Sequence, residues 1–432
     1  MGTISMSKFK QNVSWIFAGN IAHAILQFLL NIYVARVLGT ADYGLINYAA
    51  SLIAFFTSIG TLGFNGIITK KFADNEEKAD EYIGSATVYR LLFSMLSVII
   101  LQVIGRLTEP NNTTLHWVVL GQSLAMVFGA FDLIIYWFRY KAQAKIVAIL
   151  RLVAFAISAM WRVLILSTSK NIVAYVFGVS AETIIFSAIL LFAFIKVSKR
   201  NFKFKNDTAI KLIKMSYPFI FSAILVTIYG QVDKLMLNAM LDKNAVSYYS
   251  VSLNLAGAIS IIPQALIEGF RPDIMSFRNT DIDRYKRRLM QLYCVVFWLC
   301  IIYGLFISFF AKQIILVFYG EKYLPAVDSL SLVVWYTSFS YFGAINNMYM
   351  VAEKKIKWVQ ITTFVGALVN VILNYVFIPI LGVAGAALAS LITQIVANFV
   401  LLAVVSQLRE NFIIIIKGIM FWGMIHRASK TK

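Results

Sequence analysis

The sequence predicts an all-α polytopic membrane protein of about twelve transmembrane helices, arranged as two pseudo-symmetric six-helix lobes. Three observations carry that prediction. The 432-residue chain is 60% apolar and only 14% charged, whereas soluble domains run at about 45–50% apolar and about 25% charged. Apolar runs of roughly 20 residues, enough helix to cross a bilayer, recur along the whole length. Basic residues alternate by loop: 29 of the 39 Lys and Arg residues fall in the termini and every second loop, 6 fall on the other side and 4 lie within spans. That bias places both termini in the cytoplasm. It also disposes of the net charge of +19 as a nucleic-acid footprint, because the charge sits in short loops facing anionic lipid heads.

Spans are expected at 13–35, 43–68, 83–104, 115–138, 146–166, 172–195, 212–239, 246–268, 289–311, 327–352, 358–379 and 383–406. The first run follows Lys8 and Lys10. It is too long for a signal h-region and lacks a small-x-small exit, so it reads as a retained helix. Within it Asn20, His23, Gln27 and Asn31 fall in a narrow arc, since steps of 3, 7 and 11 residues return to one helical face. Two readings fit that arc: a helix–helix seam joined by side-chain hydrogen bonds, or a cavity wall. His23 is either a neutral packed histidine or a group that titrates near neutrality.

Arg90 opens the third span near the cytoplasm, where its side chain is expected to snorkel. Asp132, in the fourth, shares a face with Tyr136 and Arg139 and reads as a local structural pair. In the fifth span Arg151, Ser158 and Arg162 lie at i, i+7 and i+11, with the two guanidinium groups starting about 16 Å apart along the axis. Two cations on one face suit an anion that must travel, although each arginine reaching its own headgroup region is the alternative. Glu182, in the sixth span, falls in depth between Arg162 and Arg151, where it either neutralises an arginine or exchanges a proton.

The most basic loop, 196–214, reads as the linker between an N-terminal lobe (1–200) and a C-terminal lobe (201–410), followed by a basic tail (411–432). The halves echo each other. Leu38-Gly39-Thr40-Ala41-Asp42-Tyr43-Gly44-Leu45 follows the first span as Leu241-Asp242-Lys243-Asn244-Ala245-Val246-Ser247-Tyr248 follows the seventh. Six helices per half make the repeat parallel, and transporters built this way bind substrate between the halves. The seventh span carries Asp233 and Lys234 inside an apolar run, where a charge costs at least a few kcal/mol unless it is partnered or used. Thr227, Gln231, Lys234 and Asn238 form one polar stripe on it. Pro218, Pro263 and Pro379, with Gly230 and Gly257, mark candidate bends. In the tail, 412–426 is short for a span and is expected to lie in the cytoplasmic interface.

Nothing resembles a catalytic constellation: there is no Gly-rich phosphate loop and no metal-spaced His/Cys set, so neither a cofactor nor a metal is implied. Cys294 and Cys300 point in different directions on one helix, and His23, His116 and His426 are scattered.

Four stretches in register resemble a family. Arg36-Val37-Leu38-Gly39-Thr40-Ala41-Asp42-Tyr43-Gly44 is similar to the opening of bacterial O-antigen flippases of the multidrug/oligosaccharidyl-lipid/polysaccharide exporter superfamily. Asp233-Lys234, the run Phe318-Tyr319-Gly320-Glu321-Lys322-Tyr323-Leu324-Pro325-Ala326, and Leu381-Gly382-Val383-Ala384-Gly385-Ala386-Ala387 resemble the same family. The resemblance spans nearly the whole chain. It implies a V-shaped, MATE-like alternating-access carrier in the bacterial inner membrane that moves undecaprenyl-diphosphate-linked oligosaccharide to the periplasmic leaflet. Proton-coupled antiport is a mechanism proposed for parts of that family. Polymerase and chain-length-regulator partners are implied in the same way.

On that reading Arg151, Arg162, Lys234 and Arg90 would meet the diphosphate, and Asn20, Gln27, Asn31 and Gln231 the sugars. Asp233, Glu182, Asp132 and His23 would pair or couple ions. The chain lacks the clear thirteenth and fourteenth spans of the longer peptidoglycan-precursor flippases. A multidrug or cation exporter of the same fold is the first rival, and it would favour an anionic pocket, whereas four bases and three acids lie within the spans here. A polysaccharide polymerase or membrane glycosyltransferase is the second. The two-fold repeat and the missing large periplasmic loop count against it.

Overall fold

The computed structural model describes residues 6–420, without the side chains at 6–14, 16, 17, 65, 66, 218 and 219. Among the described residues there is no strand; the chain is a succession of helices joined by short turns. Among the described residues nine helices are long and apolar enough to cross a bilayer, and Lys243–Gly257 with Ile261–Thr280 pass together as a tenth, bent by 49°. That bend falls between Gly257 and Pro263, where the sequence marks one.

Two features bring the crossings to twelve. The first helix, α1 (Met6–Gly60), contributes a 43-residue apolar stretch. At 1.5 Å per residue this is about 65 Å, twice the roughly 30 Å hydrocarbon thickness. It breaks at Gly39, whose φ of 81° and ψ of −176° belong to a region only glycine enters freely. The two arms are therefore separate crossings. The other addition is Val327–Ala352, long enough at 26 residues but rich in Ser, Thr and Asn. Its Ser329, Ser338 and Asn346 are buried among neighbouring helices, so lipid never meets them.

The chain packs as two compact units, Met1–Gln231 and Val232–Lys432. The division falls inside α8 (Asn206–Met240). Unit 1 contains α1, α2 (Phe64–Asp74), α3 (Ala79–Thr108), α4 (Thr113–Phe128), α5 (Leu133–Tyr140), α6 (Ala144–Thr168) and α7 (Ile172–Lys196). α1 packs on α3, α4 and α6, and α7 packs on α4 and α6. The second expected span, 43–68, is corrected here. It ends at Gly60, and the chain turns through Leu62 and Gly63, both at positive φ, into the short amphipathic α2. Phe64, Ile68 and Phe72 of α2 are buried against Leu133, Ile134, Trp137 and Phe138 of α5.

The basic stretch 196–214 is not a free linker. Lys203 N donates to the Asp80 carbonyl at 3.2 Å, Lys205 N donates to Ser85 Oγ at 2.9 Å, and Arg200 stacks 4.5 Å over Trp137 while pairing with Asp80. A side chain at Gly84 would strike the Lys203 carbonyl, so glycine is what lets the stretch lie flat on α3.

Unit 2 is built from α9 (Lys243–Gly257), α10 (Ile261–Thr280), α11 (Ile282–Phe318), α12 (Val327–Ala352), α13 (Ile356–Leu381), and α14 (Val383–Ile395). α14 runs on through a π-helical turn into α15 (Leu401–Val404), and α16 (Arg409–Met420) follows. α12 is central, packed on α9, α11 and α14. Asp242 opens α9 by accepting a hydrogen bond from Ala245 N at 2.8 Å. It lies 203 residues beyond Gly39, so the sequence echo marks the same helix break in each unit. Gly320 (φ 86°) and Gly382 (φ 59°) make the turns in the two later resemblance stretches.

α16 docks through Asn411, fully buried and donating to Asn346 Oδ1, and through a 2.7 Å ion pair between Glu410 and Lys286. Lys286 holds the Glu410 carboxyl below the usual carboxylate range. A depressed carboxyl contributes its stabilisation above its unfolded pKa and loses it as pH falls, so this dock loosens in acid. The rest of the expected tail helix, 421–426, and His426 lie outside the described residues. Large apolar side chains such as Ile99, Phe309 and Ile380 stay exposed, as lipid-facing residues of a multi-pass membrane protein do.

Candidate functional site

The polar residues of the spans gather into three places in unit 1 and unit 2. The first is a partly buried charge cluster on α1, α6 and α7. Glu182 accepts from Arg162 Nη2 at 2.9 Å through one carboxylate oxygen and meets His23 Nε2 at 2.8 Å through the other. Phe155 fills the space between: Arg162 lies over its ring at 5.3 Å, and the His23 ring meets it edge-on at 5.0 Å.

α6 and α7 approach closely enough for this because of Gly178, one turn before Glu182. A Cβ there would sit 2.6 Å from Trp161 and 2.9 Å from Arg162 Cγ. Ser158 Oγ donates to the Gly178 carbonyl at 2.9 Å, which clamps the crossing. Arg162, 1% exposed, does not reach a headgroup region. Gly178→Leu is therefore expected to push α6 from α7 and break the Arg162–Glu182 pair. Thermal unfolding of the purified variant checks it: a fall of several degrees is the expected result, and an unchanged midpoint counts against close packing as Gly178's role.

Beside this cluster lies a cavity of about 660 Å³, wholly within unit 1. Gln27, Asn31 and Gln231 line it, as do Thr57, Ser58, Gln122, Tyr175 and Thr227. Gln27 Nε2 donates to Asn31 Oδ1 at 3.0 Å, and Ser58 and Thr227 share a short hydroxyl–hydroxyl bond. The arc on the first span thus divides. Gln27 and Asn31 face the cavity, His23 pairs with Glu182, and Asn20 is exposed outside the cavity. Sequence reading missed Gln122 and Tyr175, since single polar residues in an apolar run carry no periodic signal.

A second cavity, about 310 Å³, adjoins the first through Thr57 and is lined by Arg90, Asp132, Tyr136, Arg139, Arg151 and Thr183. Two expectations are corrected here. Arg90 does not snorkel: it is 5% exposed on the interior face of α3. Asp132 makes no ion pair with Arg139; instead it faces Arg151, Arg90 and Arg139 together across the cavity. Arg151 stacks 5.0 Å from the Phe186 ring centroid.

The third place is in unit 2. Asp233, 3% exposed, is expected from the sequence to pair with a charge or couple an ion. Its partners are neutral: Tyr249 Oη donates at 2.5 Å, and Asn374 Nδ2 and Ser390 Oγ each donate at 2.6 Å. Asn370 donates to Ser390 Oγ and accepts from Asn374, completing a net across α8, α9, α13 and α14. Lys234, its neighbour in sequence, is half-buried and makes no hydrogen bond or close ion pair among the described residues.

The polysaccharide biosynthesis protein profile matches residues 9–267, and the MatE profile matches residues 218–376. The probable flippase AglR of Haloferax volcanii is 22% identical over 402 residues, covering 90% of this chain and 82% of AglR. Among solved structures, the lipid II flippase MurJ in its inward closed conformation superposes with a TM-score of 0.71 at 17% identity, over 95% of this chain and 93% of MurJ. The MATE multidrug transporter DinF-BH superposes with a TM-score of 0.67 at 14% identity, over 96% and 98%. At such identities the two likenesses show a common MATE-like fold. The profile match covers more than half the chain, from the first span through the bend after Gly257, and so the chain belongs to the polysaccharide biosynthesis protein family.

Proposed function

We propose that the chain is a flippase that moves undecaprenyl-diphosphate-linked oligosaccharide repeat units from the cytoplasmic to the opposite leaflet by alternating access. One observation carries the proposal. A cavity of about 660 Å³ among membrane-spanning helices carries four amides, several hydroxyls and a tyrosine on an otherwise apolar wall that includes Ile46, Ile53, Val179 and Val226, with no charged side chain. Sugar hydroxyls need just such donors and acceptors, and a purely lipidic cargo would leave them unsatisfied. AglR and MurJ, both named as flippases, support the same direction.

The likeness to DinF-BH favours a multidrug exporter as the second reading. A cationic drug is best held by a carboxylate, and none lines this cavity. Glu182, bridging His23 and Arg162, is the group we assign to proton coupling. Arg162 is already committed to it, which leaves the arginines of the smaller cavity as the cations of unit 1 for the phosphates.

The test is made in the native cell with the gene disrupted, by extracting lipid-linked oligosaccharides and assigning their leaflet. Complete units are expected to accumulate on the cytoplasmic face. Wild-type protein should release them, and Ala50→Trp, which fills the cavity, should reduce release about tenfold or more. Normal crossing together with new sensitivity to cationic drugs would hand the function to the exporter reading.

A further inference from the structure

We infer that the larger cavity of unit 1 selects an uncharged glycan over one that carries a carboxylate, such as a uronic acid. The inference deepens the flippase reading and rests on it for the cargo being a lipid-linked glycan. What carries it is the set of donors and acceptors left open on the cavity wall. The hydroxyl hydrogens are already in use: Thr57 donates to the Ile53 carbonyl and Thr227 to the Ala223 carbonyl, each at 2.9 Å. The Ser58 hydrogen has the Ala54 carbonyl at 3.0 Å and the Thr227 oxygen within reach. Gln27 Nε2 donates to Asn31 Oδ1 at 3.0 Å, and Gln122 Nε2 to the Ile46 carbonyl at 3.2 Å. Among the described residues nothing donates to the side-chain carbonyl oxygens of Gln27, Gln122 and Gln231.

The wall therefore presents mainly lone pairs, with amide hydrogens and the Tyr175 hydroxyl as the donors that remain. Turning an amide over changes little, because it stays neutral and always brings an acceptor with its donors. A carboxylate only accepts. Held here it would give up water without gaining a counter-charge, and it would face oxygens that repel it. Arg162, beside Tyr175, is 1% exposed and committed to Glu182. The arginines of the smaller cavity do not line this one. A sugar hydroxyl donates as well as accepts, so a neutral glycan supplies the hydrogens that the wall lacks. Its C–H faces suit the apolar parts at Ile53 and Val226.

The experiment is titration calorimetry on the full-length protein in detergent with three synthetic lipid-diphosphate trisaccharides. They differ at one sugar, which is glucose, glucuronic acid or the methyl ester of that acid. The glucose and methyl-ester forms are expected to bind about tenfold or more tightly than the acid. Gln231→Arg, which sets a cation on the wall, should shift that ratio toward the acid by about tenfold. The three ligands are compared on the wild-type protein first, so the inference is decided even where the arginine variant fails to fold.

Equal binding of all three, or tighter binding of the acid, overturns the selectivity and leaves the flippase reading standing. A methyl ester as weak as the acid also overturns it, since bulk rather than charge would then decide. No binding of any of the three, together with normal glycan crossing in the disrupted cell, refutes the flippase reading and the selectivity with it.

Discussion

Glu182→Gln is expected to lower the unfolding midpoint by stranding a buried arginine. Its carboxylate is the acid paired with Arg162, whose guanidinium is 1% exposed. Removing one member of a buried ion pair leaves the other uncompensated, at about 3–5 kcal/mol. Glu182 itself is 19% exposed at its side chain, which places the loss toward the lower end. Arg162→Gln should cost less, because Glu182 keeps His23 at 2.8 Å. The double variant should recover part of the loss, since two amides in place of two ions remove the stranded charge. Thermal unfolding of the four proteins in one detergent measures this cycle. Additive losses would mean that water reaching Arg162 already replaces the carboxylate, and that the pair does not hold α6 to α7.

Much of the architecture was legible because a bilayer simplifies the code. Twelve apolar segments, the Gly39 break and its echo at Asp242 follow from length, glycine and periodicity, which are local properties. The fused α1 is the instructive case. Its two arms meet at Gly39 without an intervening loop, yet length alone demands two crossings. Boundaries were less legible where a helix leaves the apolar layer. The expected span 43–68 took in the first turn of α2 because Phe64, Ile67 and Ile68 are apolar, although α2 spends them on the unit 1 core around α5 rather than on lipid.

Charged residues within spans were conspicuous, but their partners were not. By residue count Glu182 falls in depth between Arg162 and Arg151, and it is Arg162 that it meets. His23 is 159 residues from Glu182, and a helical arc gives its direction without saying which helix stands opposite. Arg90 and Asp132 show the limit of local reasoning. Each was read from its own helix, as snorkelling or as an i,i+7 pair with Arg139, while the cavity that explains them is made where α3, α5 and α6 converge. Adjacency in sequence misleads in the same way at Asp233 and Lys234. The helix turns by about 100° from one residue to the next, so the acid faces α9, α13 and α14 while the base does not share its partners.

That divergence sets up the second large effect. Asp233→Ala is expected to destabilise unit 2 by roughly 3 kcal/mol or more, because Tyr249, Asn374 and Ser390 would each lose a buried acceptor and an orphaned donor costs about 1–3 kcal/mol. Asp233→Asn should cost less: its carbonyl still accepts, but its NH₂ turns toward a donor. Tyr249→Phe, which removes one donor and leaves two bonds to the carboxylate, should cost about 1 kcal/mol. The order Ala, then Asn, then the tyrosine variant is the signature of an acceptor saturated by neutral groups. Had Asp233 been neutralised by Lys234, Asp233→Asn would strand a buried ammonium, and Lys234→Gln would be as damaging as either aspartate variant. The geometry predicts the reverse for the lysine. Lys234→Gln should leave the unfolding midpoint nearly unchanged, which separates an acid that holds unit 2 together from an adjacent base that does not.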